Sequence, residues 1–295
     1  MYEGEKMLTE FKSEVVKNRL NIYGVVVIKD GIKIAEHHFI PEERRKLYSV
    51  TKSFTSTAVG IAIAEGYFSI NDSLLKFFEE YIPKDVSQRH LDNLDKVTVK
   101  RLLTMSVKDY TFGRLTCDNW LKHILSIPLP NVDQVVFEYS NLSSYLSGVI
   151  VEKSTKKSMM DYLNPRLFSP LGIEDVECEY SPEGYFYGAT GMKLTINEVS
   201  RFGQLYLQEG FYNGKQLLTK EWVNSAVKKQ IETREGGYGY YFWRYKEKSY
   251  RSSGMRGQVC IVIPEKNAVI AVMSDLENDT EEMRQCIWNT IYPGL

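Results

Sequence analysis

Three short stretches of the sequence carry residue types that could act together in acyl transfer. In the first, Ser49-Val50-Thr51-Lys52, a hydroxyl and an amine lie three residues apart. Small and apolar residues follow as far as Gly66, which predicts a helix beginning near Ser49 with both side chains on one face. A serine hydroxyl needs a base within hydrogen-bond reach, and Lys52 can be that base only when burial favours its neutral form. The structural alternative is that Ser49 caps the helix and Lys52 is a solvated residue of its first turn.

The second stretch is Phe137-Glu138-Tyr139-Ser140-Asn141, which precedes a predicted amphipathic helix. The Tyr139 phenol could shuttle a proton and the Asn141 amide could bind a substrate carbonyl, because a tight turn can direct both into one cleft. The structural alternative makes Tyr139, one of the 20 tyrosines of the chain, a packing aromatic and makes Asn141 a helix cap. The pattern alone favours the structural alternative.

The third stretch runs from Tyr250 to Gln258 and includes Ser253-Gly254-Met255-Arg256 before a strongly apolar strand. Acyl transfer needs two donors at the developing oxyanion, and a strand edge of small residues can present one backbone amide opposite that of the nucleophile. A glycine-containing turn between two antiparallel strands explains the same residues, so this stretch stays ambiguous by itself.

Strand patterns at both ends of the chain and helical patterns in the middle predict how these stretches are positioned. A helix is expected over residues 5–19, a hairpin around Asp30-Gly31, and a last helix over 280–291. Further predicted strands are Tyr238–Arg244, Lys248–Ser252, Gln258–Ile263 and Ala268–Ser274. Further predicted helices are Asp72–Ile82, Val99–Met105 after a Thr98 cap, Asn141–Lys153, and 196–208 after a Thr195/Glu198 capping box. We therefore predict an α/β domain formed by residues 1–66 and 236–295, with 67–235 inserted as a helical domain.

Composition excludes several classes of partner. The 37 Lys and Arg nearly balance the 38 Asp and Glu, so charge favours neither nucleic acid nor an anionic membrane. The four cysteines and four histidines show no metal-binding or redox spacing, and we expect no cofactor. No segment has the pattern of a secretory signal or a membrane span, so we expect a cytoplasmic protein with a small-molecule carbonyl substrate. The sequence does not indicate its oligomeric state.

Taken in order, the three stretches resemble the serine β-lactamase and penicillin-binding-protein superfamily. Ser49-Val50-Thr51-Lys52 matches its Ser-x-x-Lys motif, and Tyr139-Ser140-Asn141 matches the Tyr-x-Asn form of the class C-like branch. That branch includes related esterases and aminohexanoate-oligomer hydrolases. The similarity continues through Val97–Met105, Gly191–Leu207, Asn213–Gln216, Glu221–Val223 and Gly237–Tyr240, and it covers most of residues 22–290.

The resemblance implies an α+β fold of the β-lactamase/transpeptidase type, in which an antiparallel sheet is flanked by N- and C-terminal helices and carries an inserted, mostly helical domain. It implies that Ser49 is acylated by an ester, amide or lactam carbonyl while Lys52 and Tyr139 share the proton transfers. The backbone N–H groups of Ser49 and Met255 would form the oxyanion hole. Asn141 would line the acyl side of the cleft, and the substrate-binding residues would also include Ser253, Gly254 and Arg256.

Two departures from the family pattern bear on the substrate and on a loop. Ser252-Ser253-Gly254 stands where β-lactamases and peptidases usually carry Lys or His, then Thr or Ser, then Gly, so a substrate-binding cation is missing from its usual place. Arg251 or Arg256 could replace that charge or could be surface residues. Ser106-Val107-Lys108-Asp109 also lacks the Ser-Gly turn often seen after the Leu-Leu-Thr-Met element.

The sequence therefore predicts a serine hydrolase acting through an acyl-enzyme, with esterase or amidase activity favoured. The alternatives are a true β-lactamase or D-Ala-D-Ala peptidase, and a catalytically idle, penicillin-binding-like sensor or binding protein. The altered third motif favours the idle protein, whereas the intact Ser49, Lys52 and Tyr139 oppose it.

Overall fold

A six-stranded antiparallel sheet forms the centre of the computed structural model, which describes residues 3–110, 115–277 and 280–295. The strand order is β2-β1-β10-β9-β8-β7, so strands from the two ends of the chain are neighbours in the middle of the sheet. Four short strands form two small ribbons, β3 with β4 and β5 with β6. The strands are β1 Ile22–Lys29, β2 Ile32–His38, β3 Arg45–Lys46, β4 Lys193–Leu194, β5 Phe211–Tyr212, β6 Lys215–Gln216, β7 Trp243–Arg244, β8 Tyr250–Gly254, β9 Gln258–Ile263 and β10 Ala268–Ser274.

Most of the α-helices in the described residues lie between β3 and β7, as the sequence predicted. Short 3₁₀ turns at Tyr48–Val50 and Met255–Gly257 lie beside the ends of α2 and β8. The helices are α1 Glu3–Lys17, α2 Thr51–Ala64, α3 Leu74–Phe78, α4 Gln88–Asp95, α5 Val99–Leu103, α6 Trp120–Ser126, α7 Asn141–Thr155, α8 Met159–Leu163, α9 Ile196–Leu207, α10 Lys220–Val227 and α11 Thr280–Thr290. None of the described helices is long and apolar enough to cross a membrane.

The two faces of the sheet pack against different helices. Alternate residues of β1, β9 and β10 form an apolar core with α1 and α11, as Val27, Ile261 and Ile287 illustrate. The opposite face packs on α9 and contributes to a larger core that extends through α2 and α7. Gly203 allows α9 to approach closely, because a Cβ there would lie 2.5 Å from Cys260 Sγ. The sheet thus separates one helix layer from another.

Local sequence signals explain several element ends. Asp30 and Gly31 both have positive φ, 52° and 78°, as a tight hairpin between β1 and β2 requires. Thr195 and Glu198 form the predicted capping box at the start of α9. The prediction of a strand over Tyr238–Arg244 was wrong for most of its length, since only Trp243 and Arg244 form β7. Tyr241 adopts φ of 64°, which interrupts extended backbone.

The antiparallel sheet with flanking terminal helices confirms the predicted fold class. The division into 1–66 with 236–295 and an inserted 67–235 stays a prediction. Helix α9, which that division assigns to the insert, packs against β9 and β10.

Candidate active site

Ser49 lies on a sharp turn between β3 and α2. Tyr48, the residue before it, has φ of 47°, and Tyr48–Val50 form a 3₁₀ turn that leads into the helix. Ser49 is half-buried, whereas Lys52 is only 1% exposed. The turn therefore leaves the hydroxyl at the mouth of a cleft and places the amine beneath it.

The Lys52 amine is surrounded by oxygen atoms from three parts of the chain. Its Nζ donates hydrogen bonds to Ser49 Oγ at 3.0 Å, to Asn141 Oδ1 at 2.8 Å and to the Ala189 carbonyl at 2.8 Å. The structure thus brings Ser49, Lys52 and Asn141 together. Lys52 is buried and does not have the solvated position that the structural alternative required.

Burial lowers the pKa of Lys52 to about 7, because the charged form loses its hydration. The three partners also suit a neutral amine. Its two N–H groups can bind Asn141 Oδ1 and the Ala189 carbonyl, which can only accept, while its lone pair can accept the proton of the Ser49 hydroxyl. The site can therefore hold Lys52 in either protonation state near neutral pH.

The Ala189 carbonyl reaches Lys52 because the preceding loop packs closely on α7. Gly188 has φ of 68°, and a Cβ there would lie 2.6 Å from the Ser144 carbonyl oxygen. The Gly188 carbonyl accepts a hydrogen bond from Thr55 Oγ1 of α2 at 2.8 Å. Sequence reasoning missed this contribution, since a backbone acceptor leaves no side-chain signature.

Tyr139 lies on the turn before α7 and faces the same cleft. Lys52 Nζ is 4.9 Å from the centre of its ring. Although the side chain is 36% exposed, loss of hydration raises the pKa of its phenol to about 12, and a hydrogen bond with Ser49 opposes part of that rise. Tyr139 is therefore a protonated phenol at neutral pH, in contact with Ser49, and can give a proton to an adjacent atom.

The turn that carries Tyr139 is fixed by the loop after α5. The Glu138 carboxylate accepts hydrogen bonds from Lys108 Nζ at 2.6 Å and from the Asp109 backbone N–H at 2.9 Å, and the Glu138 N–H donates to the Met105 carbonyl at 2.7 Å. The segment that departs from the family's Ser-Gly turn thus supplies the contacts that hold Tyr139 in place.

The end of β8 closes the cleft on the third side. Gly254 lies against the turn that carries Ser49, since a Cβ there would be 2.3 Å from the Leu47 carbonyl oxygen and 3.2 Å from the Ser49 backbone nitrogen. Ser252 is buried, Ser253 is half-buried, and Met255, the first residue of the following turn, is 67% exposed. The three predicted stretches therefore meet at one site, with Gly254 next to Ser49.

Comparison with known proteins identifies the family of the chain. The family model described as Beta-lactamase matches residues 15–291. The chain belongs to the Beta-lactamase family. It is 22% identical to the 6-aminohexanoate-dimer hydrolase of Paenarthrobacter ureafaciens, over 92% of this chain and 76% of that one. It is 23% identical to penicillin-binding protein 4* of Bacillus subtilis strain 168, over 92% of this chain and 72% of that protein. A solved class C β-lactamase has the same fold, with a TM-score of 0.78 and 14% identity. The match covers 98% of this chain and 96% of the β-lactamase.

The two arginines considered for the family's missing cation are both engaged elsewhere. Arg251 Nη2 donates to Glu235 Oε2 at 2.5 Å, and its guanidinium lies 4.7 Å from the centre of the Tyr245 ring, which in turn contacts Trp288 of α11. Its partner in register, Ile261, belongs to the core beneath α1 and α11. Arg251 therefore faces away from α2.

Arg256 is held at the surface by an ion pair with Asp275 on the strand-end loop after β10. That carboxylate raises the pKa of the guanidinium. With φ of 60° the Arg256 backbone turns sharply directly after Met255. Both arginines that could have replaced the absent charge thus have a carboxylate partner already.

A wall of aromatic side chains continues the cleft beyond Tyr139, and no sequence pattern had indicated it. The Tyr139 ring stacks on Trp243 of β7, with centroids 5.8 Å apart and planes inclined at 21°. Phe137 contacts Trp243 at 5.6 Å, and Tyr238 contacts it at 4.8 Å. These residues come from segments about a hundred positions apart, so only the fold reveals their contact.

One group of potential metal ligands lies away from this cleft. Glu36, His38 and Glu42 place ligand atoms within 4.8 Å of one another. Glu36 already pairs with Lys33, and Asn197 Nδ2 donates to Glu36 and Glu42 at 2.7 and 3.0 Å. Hydrogen bonds and ion pairs therefore account for this cluster.

Proposed function

We propose that the protein is a serine hydrolase that works through an acyl-enzyme formed on Ser49. The supporting observation is the environment of Lys52, a buried amine with a pKa of about 7 whose partners include the Ser49 hydroxyl. Such an amine can accept a proton at neutral pH, which is what activation of a serine requires. A binding protein without catalysis has no need for this costly burial of an amine.

In the proposed reaction Ser49 Oγ attacks the substrate carbonyl carbon and its proton passes to Lys52 Nζ. The backbone N–H groups of Ser49 and Met255 stabilise the oxyanion as the carbonyl π bond opens. When the tetrahedral intermediate collapses, the bond to the leaving group breaks. Tyr139 gives its proton to the departing oxygen or nitrogen and regains one from Lys52. Water then attacks the ester carbonyl, which releases the acid and restores Ser49.

Small esters and amides are the favoured substrates. Ser252 occupies the position where β-lactamases and peptidases usually carry a cation, and Arg251 and Arg256 are paired with Glu235 and Asp275. A penicillin carboxylate would therefore lack its usual partner on β8. A true β-lactamase or peptidase is the second candidate, supported by the similarity to penicillin-binding protein 4*.

Covalent labelling tests the proposal directly. The protein would be incubated with a fluorophosphonate or with a fluorescent penicillin, and the adduct would be mapped by mass spectrometry. We expect the phosphonate to label Ser49 and the penicillin to react more slowly. Ser49→Ala is the matched control and should stay unlabelled while remaining folded. Folded wild-type protein that neither probe labels would exclude the acyl-enzyme and favour the idle binding protein.

A further inference from the structure

A cavity of about 700 Å³ lies beside the aromatic wall. Phe137 and Trp243 line one part of it, and the loop of residues 232–235 lines the other. The volume suits part of a small molecule, since ligand pockets commonly span about 300 to 1,000 Å³. Aromatic surface on one side and charged residues on the other favour a ligand with an apolar body and a charged end.

The position of Tyr139 indicates which part of a substrate would enter this cavity. Under the proposed function, on which this inference rests, Tyr139 protonates the leaving atom and must therefore contact it. The Tyr139 ring stacks on Trp243, which also lines the cavity. The group attached to the leaving atom would then extend past Tyr139 along Trp243 and Phe137.

The charged residues around the cavity differ in whether they are paired with an opposite charge. Glu232 is paired with Lys229 at 2.7 Å, and Glu235 is paired with the buried Arg251 at 2.5 Å. Arg234 is exposed and has neither an ion pair nor a hydrogen bond with any residue that the structure describes. The charge left over at the cavity is therefore positive, and a planar guanidinium is well suited to bind a carboxylate through two hydrogen bonds.

We propose that Arg234 and the Trp243–Phe137 wall form a leaving-group subsite for substrates whose leaving group carries an apolar linker that ends in a carboxylate. Arg234, in the loop before β7, then supplies the positive charge that is absent at Ser252 on β8. Arg234 selects among substrates and has no part in the bond-making steps.

Acetate esters of three phenols test this subsite. Each phenol carries a para carboxylate separated from the ring by zero, one or two methylene groups, and each ester is compared with its carboxamide, which has the same shape without the charge. The phenol is released when Ser49 is acylated, so a single-turnover burst suffices if the acyl-enzyme is slow to hydrolyse. We expect the wild type to prefer the carboxylate at one or more of the linker lengths.

Arg234→Gln should lower the carboxylate-to-carboxamide ratio of kcat/KM by about tenfold, as expected for loss of one charge-assisted contact. Arg234→Lys should retain part of the preference. Lys215→Gln, which removes an exposed cation from the β6 strand, should leave the ratio unchanged. The ratio of two substrates cancels differences in enzyme concentration. Comparing the ratio of each variant with that of the wild type also cancels the difference in leaving-group reactivity between the two phenols.

The outcomes separate the subsite from the proposed function. If the phosphonate labels Ser49 but Arg234→Gln keeps the wild-type ratio at all three linker lengths, the subsite is wrong and the acyl-enzyme stands. A wild type that shows no carboxylate preference, or releases none of the phenols although Ser49 is labelled, also rejects it. If neither the phosphonate nor the penicillin labels folded protein, the proposed function itself fails.

Discussion

The two sides of the sheet bury different kinds of side chain. On the α1/α11 face the core is built from aliphatic side chains such as Val27, Ile270 and Ile287. On the other side of the sheet, α2 buries a succession of polar residues: Thr51, Lys52, Ser53, Thr55, Ser56 and Thr57. Burying polar groups costs free energy unless every group finds a partner, and Thr51 Oγ1 and Ser56 Oγ have none among the described residues. The aliphatic face is thus suited to hold the fold together, and the other face accepts the cost of buried polar groups next to Ser49 and Lys52.

Replacing Lys52 should produce the largest effect, a loss of Ser49 acylation. This effect should be limited to the α2 side of the sheet. Lys52→Met keeps the length of the side chain but removes the base, so acylation of Ser49 should slow by about 10⁴-fold, the upper end of what a general base contributes. The rate of phosphonate labelling measures this loss, and near-ultraviolet circular dichroism checks the fold. Labelling at the wild-type rate would remove Lys52 from the mechanism.

Ile287→Ala should have the opposite effect, because it should lower the stability of the fold and leave acylation unchanged. Ile287 is fully buried in α11 on the aliphatic face, so its truncation should lower the free energy of unfolding by about 2 to 5 kcal/mol. Urea unfolding followed by circular dichroism measures the change. Below the unfolding transition the variant should acylate at the wild-type rate. A comparable loss of acylation in folded Ile287→Ala protein would mean that the two faces are not separable.

The pH profile of acylation gives the smallest expected effect and sharpens the role of the buried amine. With a folded pKa of about 7, the neutral fraction of Lys52 falls roughly tenfold for each pH unit below that value. The acylation rate should therefore rise from pH 5 to about 7.5 and then level off. Tyr139, with its pKa raised to about 12, should cause no decline up to pH 9. A flat profile from pH 5 to 8 would contradict proton transfer to Lys52.

Sequence patterns predicted the residues with local signatures. Strands Gln258–Ile263 and Ala268–Ser274 and the α9 capping box follow from hydrophobic runs and short-range hydrogen bonds. The Ser-x-x-Lys and Tyr-x-Asn motifs identified the side chains that converge around Lys52. The Ala189 carbonyl, the Trp243 stack and the ion pair of Arg251 with Glu235 depend on packing between distant segments, so their contacts could not be inferred from spacing.

The order of strands also has a consequence for how the protein folds. Ile22 of β1 pairs with Ser274 of β10, and the Ser49 turn rests against Gly254 of β8. The middle of the sheet therefore cannot form until the chain has been synthesised at least as far as Ser274, and contacts so distant in sequence make folding intrinsically slow. Ser49 acquires its surroundings late, so in a nascent chain it lacks the Lys52 and Tyr139 contacts on which the proposed acyl transfer depends.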